Sequence, residues 1–426
     1  MHFDTLQGWL DWQATLHPDP IDLGLERVAG VWSRLHSGPF PCPVISVAGT
    51  NGKGSSVAFL EAILTAAGYR TASYTSPHLE RYNERIRLQG EPVSDRRICT
   101  AFERVERARG KTSLTYFEFG TLAALEIFAA ERPAVAILEV GLGGRLDAVN
   151  IIDPDVALIT GVALDHTEWL GRDLESIGRE KAGIMRPGRP VVFGGEHPPR
   201  SVLAQARALG APLQRAGRDY RWRPLEGGWE WRSGERLRQG LPLPRLRGRC
   251  QLANAAAVLA VLALLEETLP VDQQAIRAGL QAAAPAGRFQ VLPGAPVLVL
   301  DVAHNPQAAG ELRDNLERMP VPGPTVALFA MLGDKAVEAV AGRLAGCIDR
   351  WCVTGLEDRR GIPAGTLAAR LAAGGVETGN ILPCGDPGQA LERARSEAGE
   401  NGRVLVFGSF LLVGAVLGLL RERGEL

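Results

Sequence analysis

Between the apolar run Pro43–Val47 and an apolar-periodic stretch beginning at Val57, the chain reads Ala48-Gly49-Thr50-Asn51-Gly52-Lys53-Gly54-Ser55-Ser56. Glycines let successive backbone N–H groups converge on one anion, the following helix points its positive end there, and Lys53 adds a mobile cation. These residues predict a phosphate cradle with a nucleoside triphosphate as its guest. The common nucleotide loop has glycine, four residues, then Gly-Lys-Ser/Thr. Here Val47 stands in the first glycine's place, and the hydroxyl that should meet Mg²⁺ arrives one residue late, at Ser55.

Other polar groups stand at strand exits. Val135–Leu138 runs into Glu139-Val140-Gly141-Leu142-Gly143-Gly144-Arg145-Leu146-Asp147, and a second exit carries Asp165-His166. Mg²⁺ takes oxygen ligands readily, so Glu139, a loop serine and His166 are candidates for a metal site beside the phosphates. Ser76, after the short strand Thr71–Tyr74, is a second serine of this kind. The exit Asp301-Val302-Ala303-His304-Asn305-Pro306 has polar groups able to reach a ribose or a reacting phosphate, and Ser409 ends the last strand in the same way. Glu139, His166, Asp301 and Ser409 together predict one composite cleft. Gly141-Leu142-Gly143-Gly144 lacks the order of a dinucleotide fingerprint. Taken alone, Lys181 reads as a solvated helix residue.

The elements that must position these groups follow from the alternation of short β-rich runs (Val44–Val47, Val135–Val140, Val156–Ile159, Val191–Phe193) with helical patterns (Val57–Ala67, Thr121–Ala130, Val202–Leu209). Such alternation predicts an α/β fold with a mostly parallel sheet, whose sites lie at the carboxyl ends of its strands. Between Tyr220 and Arg249, Trp222, Trp229 and Trp231 alternate with polar residues. Period-two aromatics predict one packed face of an antiparallel ribbon rather than a base-stacking surface. Helices are expected at Ala253–Glu267 and Asp272–Ala283. Pro285-Ala286-Gly287 marks a linker, and a second α/β alternation follows through Val297–Asp301, Thr325–Phe329, Arg350–Val353 and Val404–Phe407. The expectation is an N-terminal P-loop-containing parallel-sheet ATPase domain at 1–286 and a smaller C-terminal Rossmann-like α/β domain at 287–426.

At 426 residues the chain suits two domains, and 47 basic against 48 acidic residues leave no net field for nucleic acid or an anionic membrane. Six cysteines without paired spacing argue against structural zinc or a disulfide framework and fit a cytoplasmic protein. Met1-His2-Phe3-Asp4 lacks the order of a secretion signal, so no export is expected. Val404–Leu420 is apolar, but Gly408-Ser409 interrupts it, and it reads as strand, turn and buried helix rather than a span.

In chain order, Ile21–Val28, the nucleotide loop, Thr75–Leu79, Leu114–Gly120, Glu139–Asn150, Asp165–Gly171, Lys181–Ile184, Gly287-Arg288-Phe289, Asp301–Pro306 and Gly408-Ser409-Phe410 resemble the folylpolyglutamate synthase and dihydrofolate synthase family, within the ATP-dependent Mur-type ligases. Ile21–Val28, Thr115–Glu118 and Asp301-Val302 look most like its bifunctional bacterial members. The resemblance implies an ATP- and pterin-binding first domain and a ligase second domain. It matches Gly52, Lys53, Gly54 and Ser55 to phosphate binding, Ser55, Ser76, Glu139 and His166 to magnesium, and Asn254, Arg288 and Asp301 to ATP. Lys181 matches a lysine that the family carbamoylates, which implies a second metal site. Asp22, Leu23, Gly24, Thr115, Phe117, Asp147 and Ala148 match a dihydropteroate pocket, and His304 and Ser409 match residues near the reacting groups. One departure stands out: Cys250-Gln251 occupies the place where the family often has His-Gln.

The implied reaction moves the γ-phosphoryl group of ATP to a pteroate carboxylate, and the amine of L-glutamate then attacks the acyl phosphate. Lys53 and Mg²⁺ would neutralise the developing charge, and His304 is the candidate base. Dihydropteroate, reduced folates and L-glutamate are the implied substrates, and a monomer is expected. A cell-wall Mur ligase is the near alternative, disfavoured because only Met1–Cys42 precedes the loop. A nucleotide-switch binding protein is the remote one.

Overall fold

The computed structural model describes residues 3–426; Met1 and His2 of the N-terminal tetrapeptide lie outside them. The first sheet has eight strands in the spatial order Glu91–Pro92, Ile86–Leu88, Thr71–Tyr74, Val135–Glu139, Val44–Ala48, Val156–Ile159, Val191–Phe193, Leu213–Arg215. Pairing is parallel from Thr71–Tyr74 to Leu213–Arg215, with an antiparallel edge at Ile86–Leu88 and Glu91–Pro92. Alternating side chains enter two cores: Val135 and Ile137 join Phe59, Leu60 and Val258 on one face, while Ala136 and Leu138 join Phe102, Phe119 and Phe128 on the other. Burial on both faces is why these strands read as continuous apolar runs.

Strand Val44–Ala48 is followed by a helix leading toward Thr71–Tyr74, whereas Val135–Glu139, its neighbour, leads to Val156–Ile159 on the opposite side. The chain therefore reverses direction between these two strands. Their carboxyl ends, which carry the Gly49–Ser55 loop and Glu139, open the crevice where ligands of such sheets bind.

Three-stranded antiparallel pairing of Tyr220–Leu225, Gly228–Ser233 and Arg236–Leu241 accounts for the tryptophan texture. Trp229 and Trp231 are fully buried, and their indole N–H groups donate to the carbonyls of Pro242 and Ala256. They have no face free for bases.

The second sheet runs Gln290–Leu292, Val297–Leu300, Arg403–Phe407, Thr325–Phe329, Arg350–Val353, Ile381–Pro383, all parallel except the first. Pro285–Gly287 lies between helix Gln273–Ala282 and this sheet. The apolar C-terminal stretch is strand Arg403–Phe407 followed by helix Phe410–Glu422. Among the described residues no helix is long and apolar enough to cross a membrane.

Three helix starts differ from expectation by a turn or more: the helix expected at Ala253–Glu267 spans Arg249–Leu264, and the other two have a local cause. The helix after the loop begins at Lys53 rather than Val57, because Gly52 at φ +87° turns the chain and the polar first turn hides the helical period. The helix expected from Thr121 begins at Tyr116, where Thr115 accepts from the Glu118 N–H and Glu118 accepts from the Thr115 N–H. That reciprocal capping box starts the helix ahead of its fully apolar segment. Helices Leu6–Gln13 and Glu26–Leu35 and the antiparallel edges had no counterpart in the sequence reading.

Candidate functional site

The loop after Val44–Ala48 is braced from the next strand. Thr50 N–H donates to the Gly161 carbonyl at 2.9 Å, and Thr160 Oγ1 donates to the Asn51 carbonyl at 2.6 Å. Gly49 and Gly52 both have positive φ, and a Cβ on Gly52 would lie 2.5 Å from Asn254 Oδ1. Glycine there lets the helix Arg249–Leu264 set its Asn254 carboxamide directly against the loop. Lys53 folds back, its Nζ donating to the carbonyls of Gly49 at 3.0 Å and Thr50 at 3.2 Å. Burial lowers its pKa, opposed by Glu139 and Asp165.

Lys181 is not a solvated helix residue. It is buried, and its Nζ donates to the Gly49 carbonyl at 3.1 Å. Burial, with the charge of Lys53 beside it, lowers its pKa to about 7.

Across the loop, Glu139 is buried at the end of its strand, and Ser76 N–H donates to its Oε2 at 3.2 Å. Its carboxylate oxygens stand 3.8 and 3.9 Å from where a Gly54 Cβ would be. Burial raises its pKa, against the charges of Lys53 and Arg288. Arg288, from the linker, lies 5.0 Å over the Phe410 ring with Nη1 buried and lacking a hydrogen-bond partner. A desolvated carboxylate and an orphaned guanidinium nitrogen lining one cavity beside Gly54 suit a cation and an anion bound together. Oxygen donors of Ser55, Ser76 and Glu139 match the preference of Mg²⁺. Among the described residues no three His, Cys, Asp or Glu side chains already form a metal cluster.

The second domain supplies the facing wall. Both oxygens of Asp301 accept backbone N–H groups, from Phe289 at 2.8 Å and Ala303 at 2.7 Å. Ser409 caps helix Phe410–Glu422, its Oγ accepting from Leu411 N–H. His304 Nδ1 lies 2.8 Å from the Val302 carbonyl, and its Nε2 lies 3.4 Å from Asp165 Oδ2. His166, at φ +50°, has its Nε2 3.4 Å from Lys335 Nζ; burial and the charge of Lys335 lower its pKa to about 4, leaving a neutral imidazole. The structure thus groups Ser76 with Glu139, and His166 with Asp165, Lys335 and His304.

The sequence reading did not assign Lys335, Asp165 or Asn51. Lys335 is buried and donates to Asp165 Oδ1 at 2.8 Å. Asp165 is held well below the usual carboxylate range: burial pushes it up, but the His304 hydrogen bond and the Lys335 charge outweigh that. Asn51 and Asn305 exchange carboxamide hydrogen bonds at 2.9 and 3.1 Å. The phosphate loop is therefore tied directly to the second domain.

One cavity of about 740 Å³ joins these walls, touching Lys53, Ser55, Ser76, Glu139, His166 and Lys181 on one side and Arg288, Asp301, His304 and Ser409 on the other. The seven residues matched to a pterin pocket do not line it. Phe117 packs its ring against Gly141, where a Cβ would lie 2.6 Å from the ring. Asp147 is buried and accepts from Leu142 and Val149 N–H groups, with burial raising its pKa to about 6. Ala148 packs with Leu114 and Phe119. Leu23 and Gly24 are half-buried beside Asp22. Asp22 pairs with Arg27 at 2.6 Å, and Arg27 also pairs at 2.9 Å with Glu118, the partner of Thr115. Arg27, unassigned in the sequence reading, therefore joins Asp22 to the Thr115 capping box. Loop Val140–Arg145 connects this region to the cavity.

Two family models match the chain: the Mur ligase middle domain over residues 47–190 and the Mur ligase glutamate ligase domain over residues 287–410. The dihydrofolate synthase/folylpolyglutamate synthase of Escherichia coli K12 is 42% identical over 421 residues, 98% of this chain and 96% of the relative. A solved structure of E. coli FolC in complex with DHPP and ADP superposes with a TM-score of 0.93, covering 99% of this chain and 98% of the other at 42% identity. The bifunctional folylpolyglutamate synthase/dihydrofolate synthase of Yersinia pestis complexed with AMPPNP and Mn ion gives 0.90 at 46% identity, covering 98% of each chain.

Proposed function

This chain belongs to the dihydrofolate synthase/folylpolyglutamate synthase family of Mur-type ligases, and from that premise we propose how its own residues divide the work. The protein is an ATP-dependent amide ligase that adds L-glutamate to 7,8-dihydropteroate and to reduced folates, using ATP and a divalent cation. We assign 1–286 to ATP and pterin binding and 287–426 to the ligase domain, and the acting unit is a monomer in the cytoplasm. A single chain supplies both walls of the cleft, which supports that unit.

A carboxylate does not acylate an amine in neutral water because its oxygen is a poor leaving group. Transfer of the γ-phosphoryl group of ATP to the pteroate carboxylate releases ADP and makes phosphate the leaving group. The amine of L-glutamate then attacks the acyl carbon; phosphate departs, and the amine loses a proton. Gly52, Gly54 and Ser55 hold the phosphates by backbone N–H groups, and Lys53 follows the transferred charge. Ser55, Ser76, Glu139 and His166 would hold Mg²⁺, which neutralises phosphate charge when bound. Asn254, Arg288 and Asp301 hold the nucleotide from helix, linker and second domain. The observation that carries this reading is the orphaned Arg288 Nη1, buried in the same cavity as Lys53 and calling for an anion.

Lys181 is assigned to carbamoylation. Its neutral amine adds to CO₂, forming an N–C bond and releasing a proton, and the carbamate becomes an anionic ligand for a second cation. The pKa of about 7 makes that amine available near neutral pH. His304, whose Nδ1 sits against the Val302 carbonyl, presents Nε2 as the base candidate beside Asp165, in the cavity that Ser409 also lines. Asp22, Leu23, Gly24, Thr115, Phe117, Asp147 and Ala148 are assigned to the pterin. Mass spectrometry of the product from dihydropteroate, ATP and L-glutamate tests the reading: a gain of one glutamyl residue supports it, and recovery of unmodified dihydropteroate contradicts it.

A further inference from the structure

Two helices, Arg249–Leu264 of the first domain and Pro306–Glu317 of the second, bound a slot leading away from the phosphate loop. It is pinned at both ends. At the near end Asn305 pairs with Asn51. At the far end the Asn315 carboxamide lies 2.8 Å from where a Cβ on Gly248 would be, an approach only glycine permits at φ +115°. Ten residues of helix separate Asn305 from Asn315, a rise of about 15 Å, which is the reach of a nucleoside triphosphate from its phosphates to the far edge of its base.

Ala308, Glu311, Leu312 and Asn315 share one helix face and line the cavity. Ala308 and Leu312 offer an apolar patch one turn apart, suited to a flat ring, and Glu311 sets a half-buried carboxylate beside it. Cys250 and the charges of Arg249 and Arg318 act on this carboxylate from the protein, and at this distance from the loop the donors a ligand can add are those of the nucleoside. Cys250 faces Glu311 from the opposite helix. Burial and the Glu311 carboxylate push the Cys250 thiol up to about 12, so it stays protonated and acts as a donor. Burial raises the Glu311 pKa, and the Cys250 contact opposes that rise.

We propose that Glu311 accepts a hydrogen bond from the exocyclic amine of adenine, that Cys250 is its positioning residue, and that this pair sets the preference for ATP over purine nucleotides with a carbonyl at that position. The inference rests on the ATP-dependent ligase reading. It gives the cysteine, which departs from the family's usual histidine, a role that a thiol fills through a single donated hydrogen bond. Asp301, at the near end of the slot, is left to the ribose.

Steady-state turnover with ATP, inosine triphosphate and 2′-deoxy-ATP tests the pair. Turnover of ATP by the unmodified enzyme checks the ligase reading itself and is scored separately. Inosine triphosphate differs from ATP in placing a carbonyl oxygen where adenine has its amine. Glu311→Gln is expected to cut the ATP-to-inosine-triphosphate ratio of kcat/KM by about tenfold or more, because a carboxamide can donate to that oxygen. Cys250→Ala is expected to raise the KM for ATP more than it lowers kcat, and Cys250→Ser to restore the KM. An active Glu311→Gln enzyme with an unchanged ratio overturns the proposal. So does a change confined to the ATP-to-2′-deoxy-ATP ratio, which would place the carboxylate on the ribose.

Discussion

Lys53 and Lys181 donate to the same acceptor, the Gly49 carbonyl, at 3.0 and 3.1 Å. Two cations on one carbonyl repel, and burial with that repulsion moves Lys181 from its ordinary 10.5 to about 7. A carbamate on Lys181 would replace this repulsion with an ion pair to Lys53.

The sign of the resulting pH dependence is fixed. Between about 7 and 10.5 the unfolded chain keeps a proton on Lys181 that the folded chain has lost, so stability rises with pH across that window. In CO₂-depleted buffer, urea midpoints are expected to show this slope for the unmodified protein and to lose its Lys181 component in Lys181→Met. Adding bicarbonate near pH 8 is expected to raise the turnover of the unmodified enzyme and to leave Lys181→Met unaffected. Equal responses from both proteins would contradict the assignment.

Gly52→Ala places a methyl group 2.5 Å from Asn254 Oδ1 on a backbone at φ +87°. A left-handed alanine costs about 1–2 kcal/mol, and the carboxamide must move away from the loop. ADP affinity, measured by calorimetric titration, is expected to fall at least as much as folding stability. A variant that binds ADP normally would separate Asn254 from the nucleotide.

The loop-to-helix turn at Gly49–Ser55 and the place of Glu139 at a strand exit were legible because glycine placement and apolar runs read in one dimension. Lys335 was missed although the same rule covers it: it follows strand Thr325–Phe329, whose exit was given no functional reading. Its meaning depends on Asp165, 170 positions earlier, which no local pattern links to it. Arg27 was hidden for the same reason, since it ties Asp22 to Glu118, which lies 91 positions after Arg27. Lys181 looked like a surface lysine because helical periodicity does not reveal that its face meets the phosphate loop.

Removing one partner of a buried ion pair strands the other, at a cost of about 3–5 kcal/mol. Asp165 and Lys335 are each about 8% exposed and come from different domains. Lys335→Met and Asp165→Asn are each expected to lower kcat/KM, and the double variant to lose less than the two effects combined. Strict additivity in that cycle would remove the pair from the closure of the cleft.

Thr115→Ala removes one half of the capping box and is expected to cost about 1 kcal/mol of stability. Because Arg27 ties that cap to Asp22, the KM for dihydropteroate should rise while the KM for ATP stays near its starting value. An equal rise in both would indicate general loosening of the first domain.

The central claim is that the phosphate held by Lys53 is transferred only to a folate carboxylate. ADP release in the presence of ATP, Mg²⁺ and L-glutamate measures this directly. Dihydropteroate or tetrahydrofolate is expected to raise the rate strongly, and Lys53→Met to lower it by about 100-fold or more. ADP formation indifferent to either pterin would contradict the account.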